Sequence, residues 1–281
     1  MAEISAKDIA ALRKQTGAGM LDCRTALQET GGDIEAAKDW LRTKGLAGAA
    51  KRAGREAQDG AVEVTVEGSV GAVVELNCET DFVAKGAEFR AMVATLAKIV
   101  AEQGDDDLES RPYESGTVGD AVKQLGATLG ENVGIGRVAR IESTDGIVDG
   151  YKHVQNERGT IGVLVELGGV DASDPRAQEI AHDVALHIAS AAPQYVTRDD
   201  VPADVLEKER AVLEELTRNE GKPEQALPKI VEGRLNGFYK NTVLVEQPFV
   251  RDPKTTVAKL VGELGKEATI RRFVRIQVGA E

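Results

Sequence analysis

The residues with the most distinct chemical character lie in the stretch N-C-E-T-D-F-V-A-K-G at positions 77–86. A carboxylate and an aromatic ring, Asp81 and Phe82, stand side by side where two-residue alternation has ended and helical periodicity has not begun. Such a pair has two uses. Thr80 or Asp81 can cap a following helix while Phe82 packs on its first turn as a hydrophobic staple. Alternatively, the pair is held outward on a loop placed by rigid neighbours, a common position for functional side chains. The apolar run 70–76 before it has the pattern of a buried strand, and 88–101 after it that of an amphipathic helix.

The other reactive side chains do not assemble into a catalytic set. No G-x-x-x-x-G-K-[ST] occurs, so the chain has no phosphate-binding loop of its own. Gly134 and Gly136 are followed by no third glycine, which argues against a dinucleotide site. His182 and His187 stand five apart, wrong for one helix face, and His153 is remote in sequence. Cys23 and Cys78 have no C-x-x-C context and read as reduced thiols. No serine sits in a nucleophile elbow. A binding protein is expected, without metal or cofactor.

The 281 residues, 42% hydrophobic and 29% charged, suffice for two globular domains. No apolar run reaches the roughly 18 residues of a membrane span, and residues 1–10 lack a secretory signal. A cytoplasmic protein with no membrane partner follows. The net charge of −12 argues against direct nucleic-acid binding, which needs a basic surface. That charge is uneven: residues 1–55 carry 10 Lys and Arg against 7 Asp and Glu, whereas the remainder carries 25 against 40. A basic head on an acidic body suggests a separate N-terminal module.

Residues 4–54 read as three short helices, with Ser5 and Asp33 as caps, breaks at T-G-A-G (16–19) and Gly31-Gly32, and Gly45 ending the third. A polar linker is expected over 51–59. Met20 and Leu21, beside the first break, serve either as core or as an exposed apolar contact. From Gly60 the period becomes two, predicting a hairpin over 61–76 that turns at Gly68-Ser69. An exposed acidic loop (103–115), a helix (118–129) closed by Gly130 and a strand (131–141) follow. The pattern then returns: G-V-L-V-E-L-G at 162–168 lies 91 residues after G-A-V-V-E-L-N at 71–77, and Val184-Ala185 matches Val93-Ala94 at the same offset. An internal duplication of a strand-strand-helix unit is the economical reading. The second copy has no T-D-F at its turn. Residues 199–241 carry two apolar stripes, Val205, Leu206, Val212, Leu213 and Leu216, then Leu227, Ile230, Val231, Leu235, Phe238 and Tyr239. These predict an antiparallel helical hairpin that leaves self-association open, with Pro228 starting or kinking the return helix. A strand (242–246), a helix (255–264) and a last strand (270–278) complete the chain. The fold class is α+β, with units at 1–55, 56–146, 147–200 plus 242–281, and an inserted hairpin at 201–241.

The motifs T-G-A-G-M-L-D-C (16–23), G-G-D-I-E-A-A (31–37), N-C-E-T-D-F-V-A-K (77–85), G-E-N-V (130–133), Y-K-H (151–153), G-K-P (221–223), V-E-G-R (231–234) and Q-P-F-V (247–250) together resemble the bacterial translation elongation factor Ts family over nearly the whole length. The resemblance implies an N-terminal module similar to ubiquitin-associated domains, a duplicated core and a coiled-coil hairpin. It implies guanine-nucleotide exchange on elongation factor Tu, GDP-bound and nucleotide-free. Thr80, Asp81, Phe82 and Val83 would enter that partner near its magnesium and displace the ion. By the same likeness Met20, Leu21 and Arg24 would touch the nucleotide-binding domain, Leu129 and Gly130 would support the loop, and His153 and Val250 would meet another domain of the partner. Family members often carry an extra C-terminal helical module; this chain stops at Glu281, so contacts of that module are not carried over. A function of another class, a scaffold or chaperone-like binder using the hairpin, stands beside this one.

Overall fold

The computed structural model describes residues 4–52 and 54–280. Ser5 caps α1 (Ala6–Thr16) in a reciprocal capping box with Asp8. Gly17, at φ 67°, ends it, and α2 (Met20–Glu29) and α3 (Ile34–Arg52) follow. The side chain of Asp33 accepts the Ala36 amide at 3.0 Å. Leu12, Cys23, Ala26, Leu27 and Ala37 form the small buried core, with Ile9, Ile34, Trp40 and Leu41 around it. The third helix does not end at Gly45, as the sequence predicts; it continues to Arg52 and shortens the linker. Gly45 is instead a point of close approach, where a Cβ would lie 2.8 Å from the Cβ of Ala127.

The strands β1 (Asp59–Glu67) and β2 (Val70–Cys78) form the predicted hairpin, followed by the one-turn α4 (Asp81–Ala84) and by α5 (Ala87–Gln103). The expected acidic loop is partly ordered: Leu108 is buried in a 3-10 turn, and β3 (Pro112–Tyr113) pairs with β4 (Gly116–Thr117). Thr117 caps α6 (Val118–Leu129), and β5 (Gly134–Glu142) adds to the free side of β2, giving the order β1-β2-β5.

The second half repeats this scheme. The hairpin of β6 (Gly146–Gln155) and β7 (Arg158–Gly168) leads to α7 (Pro175–Ala191). Then come α8 (Ala203–Asn219), α9 (Leu227–Thr242), the short pair β8 (Pro248–Phe249) and β9 (Asp252–Thr256), and α10 (Val257–Gly262). Finally β10 (Thr269–Gln277) pairs with β7, giving β10-β7-β6. The helices α5 and α7, whose Val93 and Val184 are both buried, cover one face of their own sheets. The other faces meet: Val62, Val73 and Ile141 pack against Val148, Leu164 and Ile276. Glycines 91 residues apart make this contact possible. A Cβ on Gly71 would lie 2.8 Å from Leu164 Cδ2, and one on Gly162 would lie 2.7 Å from Val73 Cγ2. Each sheet thus receives the other's branched side chain where it has none.

α8 and α9 bury Val231, Leu235 and Tyr239 against Val205, Leu206 and Leu213. The stripe read from α8 is partly wrong. Val212 and Leu216 are 59% and 48% exposed, and Thr217 takes the inner position with its hydroxyl donating to the Leu213 carbonyl. Pro228 lies within the first two positions of α9, where no amide is needed. Residues 242–246 are no strand: the end of α9 runs into a 3-10 turn, Leu244–Glu246, with one bridge from Val243 to Tyr195. Val243 and Leu244 are both fully buried, an apolar pair that the sequence does not distinguish from a short strand covered on both faces.

Candidate functional site

β2 ends at Cys78, and the chain rises into α4, a single turn started by Thr80, whose hydroxyl accepts the Val83 amide at 3.3 Å. Val83 and Ala84 point into the core beside Phe89. Phe82 points away from it and is 84% exposed, so the tip of α4 carries a bare aromatic ring into solvent. The capping reading therefore holds for Thr80, and the staple reading fails for Phe82. Asp81 accepts a hydrogen bond from Lys85 one turn on. That bond, with the lysine's charge, holds the exposed Asp81 carboxyl below its ordinary range.

The floor of the tip is buried. The Cys78 thiol donates to the Thr80 carbonyl at 3.2 Å. Burial, and next the negative charge of Glu131, push this thiol up to about 12, so it stays protonated and is no nucleophile. Behind the tip, Arg90 donates to the Lys85 carbonyl and to the Glu157 carbonyl, both at 3.0 Å, joining the segment to the β6–β7 turn of the second half.

Gly130 ends α6 in the left-handed conformation at φ 79° and sends the chain toward the tip, where Glu131 accepts the Thr80 amide at 3.1 Å. Leu129 is partly buried against the core beneath. The head lies next to this corner: Thr16, Gly19, Asp22 and Lys44 line one cleft together with Leu129 and Gly130. Met20 and Leu21, which open α2, are 58% and 78% exposed, and Arg24 is exposed one turn later. Of the two uses open to Met20 and Leu21, the core use is thus excluded.

His153 and Val250 belong to a second region, bordering α7. The exposed His153 lies 3.3 Å from the Tyr151 hydroxyl, and the Tyr151 ring meets His182 edge-on at 6.1 Å. On another side of α7 the buried His187 accepts the Val250 amide through Nδ1 at 3.2 Å and donates through Nε2 to Gln247 at 2.9 Å. Val250 is left 42% exposed. Burial lowers the imidazole's affinity for a proton, in keeping with its accepting role. The histidines 182 and 187 do face different ways. Among the described residues no group of three or more potential metal ligands converges, and no helix is long and apolar enough to cross a membrane.

A family model described as Elongation factor TS matches residues 79–280. Elongation factor Ts of Micrococcus luteus is 48% identical over 284 residues, covering 99% of this chain and 100% of the relative. The chain belongs to the elongation factor Ts family. Elongation factor Ts of Thermobifida fusca is 47% identical over 286 residues, with 99% of both chains covered. That of Streptomyces avermitilis is 48% identical over 287, with 99% and 100% covered. Membership gives the chain an elongation-factor role in translation. The resemblance carried by the sequence motifs is thereby borne out. The head lies outside the span of the family model but inside the full-length alignments.

Glu131 binds Thr80 and His187 binds Val250, with Glu79 and Gln247 bonded to these two in turn, yet residue type and spacing assign none of the four such a role. Glu79 and Glu131 stand 52 positions apart, and each reads alone as a surface carboxylate; only the fold sets them face to face.

Proposed function

We propose that this chain is the guanine-nucleotide exchange factor of elongation factor Tu, acting from the cytoplasm without enzymatic chemistry of its own. The observation that carries this reading is Phe82, a large apolar ring held out in water immediately before the buried Val83 and Ala84 that anchor its turn. An exposed ring on a braced single turn is suited to enter another protein's cleft. Its burial there supplies about 1.5–3 kcal/mol.

The work is divided among named residues. Thr80 and Val83 set the turn, Phe82 wedges, and ionised Asp81 competes for the groups around the partner's magnesium. Met20, Leu21 and Arg24 of a head similar to ubiquitin-associated domains hold the nucleotide-binding domain. Leu129 and Gly130 back the tip, while His153 and Val250 engage a second domain of the partner. The helical hairpin acts as an inserted coiled coil, and the units divide after residues 55, 146, 200 and 241.

Linkage fixes the energetics. If this factor weakens nucleotide binding, nucleotide weakens factor binding by the same coupling, commonly about 1–3 kcal/mol. Turning a 1:99 population into 99:1 takes roughly 5.5 kcal/mol. A single buried ring falls short of that. Expelling a divalent ion from the phosphates, the largest local charge, supplies the remainder. Since the factor is released unchanged, it speeds equilibration and leaves the partner's own affinities and the nucleotide ratio to decide what rebinds.

The test uses elongation factor Tu loaded with a fluorescent GDP analogue. A trace of this chain accelerates release many times over if it turns over as an exchange factor. Binding without release would instead favour the scaffold reading, for which the outward Val212 and Leu216 of α8 offer a surface.

A further inference from the structure

The tip is poorly equipped to hold itself. α4 has four residues, too few to be stable alone. Its ring faces water, and the turn's own hydrogen bonds, from the Val83 amide to Thr80 and from Lys85 to Asp81, do not tie it to the rest of the fold. Some external device sets its direction.

Two carboxylates cross between the end of β2 and the turn after α6. Glu131 accepts the Glu79 amide at 3.0 Å and the Thr80 amide at 3.1 Å on one oxygen. Its other oxygen accepts the Thr80 hydroxyl at 2.5 Å. In return, Glu79 accepts the Asn132 amide at 2.7 Å and lies 3.5 Å from the Arg55 guanidinium. Asn132 donates from its side chain to the Arg55 carbonyl at 2.8 Å. Three segments meet here: the tip, the turn after α6, and the chain leaving the head. The backbone amides of residues 79 and 80 lie where the β2 ladder has ended, and the Glu131 carboxylate supplies their acceptor. Charged acceptors make the stronger kind of hydrogen bond. The Thr80 hydroxyl does double duty, donating to Glu131 while accepting the Val83 amide, so the carboxylate also orients the cap of α4. Gly130 makes the crossing possible: its left-handed backbone aims Glu131, and a Cβ there would meet nothing within 4 Å, so conformation rather than space asks for glycine.

We propose that Glu131 and Glu79 are positioning residues for nucleotide exchange, a reciprocal knot that fixes the direction of Phe82 and keeps the tip in register with the head. The proposal rests on the exchange reading above. Neither carboxylate need touch the partner. Loosening the knot leaves the contact residues present but badly aimed, and displacement of a working group by about 1 Å can cost on the order of 100-fold in rate.

The test compares Glu131→Ala, Glu131→Gln and Glu79→Ala with the unaltered chain in two measurements. The first is release of a fluorescent GDP analogue from elongation factor Tu across factor concentration. Glu131→Ala is expected to lower the saturating rate by about tenfold or more while the half-saturating concentration moves less than about threefold; Glu131→Gln, which keeps an acceptor oxygen, recovers most of it. The second is amide hydrogen exchange on the free chain. In Glu131→Ala, protection falls at residues 79, 80 and 83 and stays unchanged in the centre of β2 and in α5. A folded Glu131→Ala that releases nucleotide at the unaltered rate overturns the proposal. So does a rate loss shared equally by Glu131→Gln with no change in exchange, which marks a direct contact. If Glu131→Ala does not fold, Glu79→Ala, which removes only one arm, is judged by the same readouts. If the unaltered chain itself releases no nucleotide, the exchange reading fails, whereas unchanged protection at 79, 80 and 83 defeats the knot separately.

Discussion

Beyond β2 the first copy of the repeated unit lifts Asp81 and Phe82 outward, whereas beyond β7 the second copy closes its corner through Gly168 and Gly169. At Gly169, φ is 68° and a Cβ would run into the Glu267 carbonyl oxygen, so this corner is packed shut against the segment leading into β10. The frames beneath are alike. Glu75 and Glu166, 91 residues apart, are both buried and both bound by arginines of their sheet's third strand: Arg137 in β5, and Arg271 with Arg272 in β10. In both sheets the register shifts beside this carboxylate. What repeats is therefore framework. The residues without a counterpart, Asp81 and Phe82, are free of framework duty and available for a partner.

Three changes would break or sharpen this comparison. Glu166→Ala is expected to cost the most stability. It leaves two arginines without their shared acceptor; because both are partly solvated, the loss is about 1–3 kcal/mol rather than that of a fully enclosed pair. A urea midpoint measures it; Glu75→Ala, which leaves the Arg137 backbone amide as well as its guanidinium without an acceptor, sets the comparison. The loss at Glu166 is pH-dependent. Burial alone would raise the Glu166 carboxyl, but hydrogen bonds from Arg272 and Arg271 outweigh it, and it sits below the ordinary 4.5. Its contribution is thus present above about pH 4.5 and fades as the pH falls below that value.

Next, alanine at the facing glycines should cost about 1–3 kcal/mol by overpacking. Gly162→Ala, whose Cβ comes within 2.4 Å of Val62, should lose more than Gly71→Ala at 2.8 Å. Equal stability of both variants and the unaltered chain would mean that the two sheet faces are not closely packed. Smallest is Val170→Ala, at the closed corner. It should cost under about 1 kcal/mol and leave nucleotide release unaltered, since that corner has no tip.

Much of this was legible in the sequence, and the failures have causes. The 91-residue offset revealed the duplication because strand and helix cores demand the same apolar positions twice. Capping at Ser5, Asp33 and Gly130 was readable because caps are local chemistry. Gly45 misled because a glycine that ends a helix and one that admits a neighbouring helix look alike in one dimension. Leu216 and Thr217 exchanged inner and outer places because the partner helix, and not hydropathy, selected the seam. In the site, exposure of Phe82 was one of two open outcomes, and the Glu79–Glu131 crossing had no linear signal at all.

The central claim concerns one ring. With elongation factor Tu carrying a fluorescent GDP analogue, Phe82→Ala should lower the release rate at saturating factor by about tenfold or more, in line with about 1.5–3 kcal/mol of lost burial. Its affinity for the nucleotide-free partner should fall by a smaller factor. Equal losses in rate and affinity would make Phe82 a mere anchor, and an unchanged release rate would contradict the account outright.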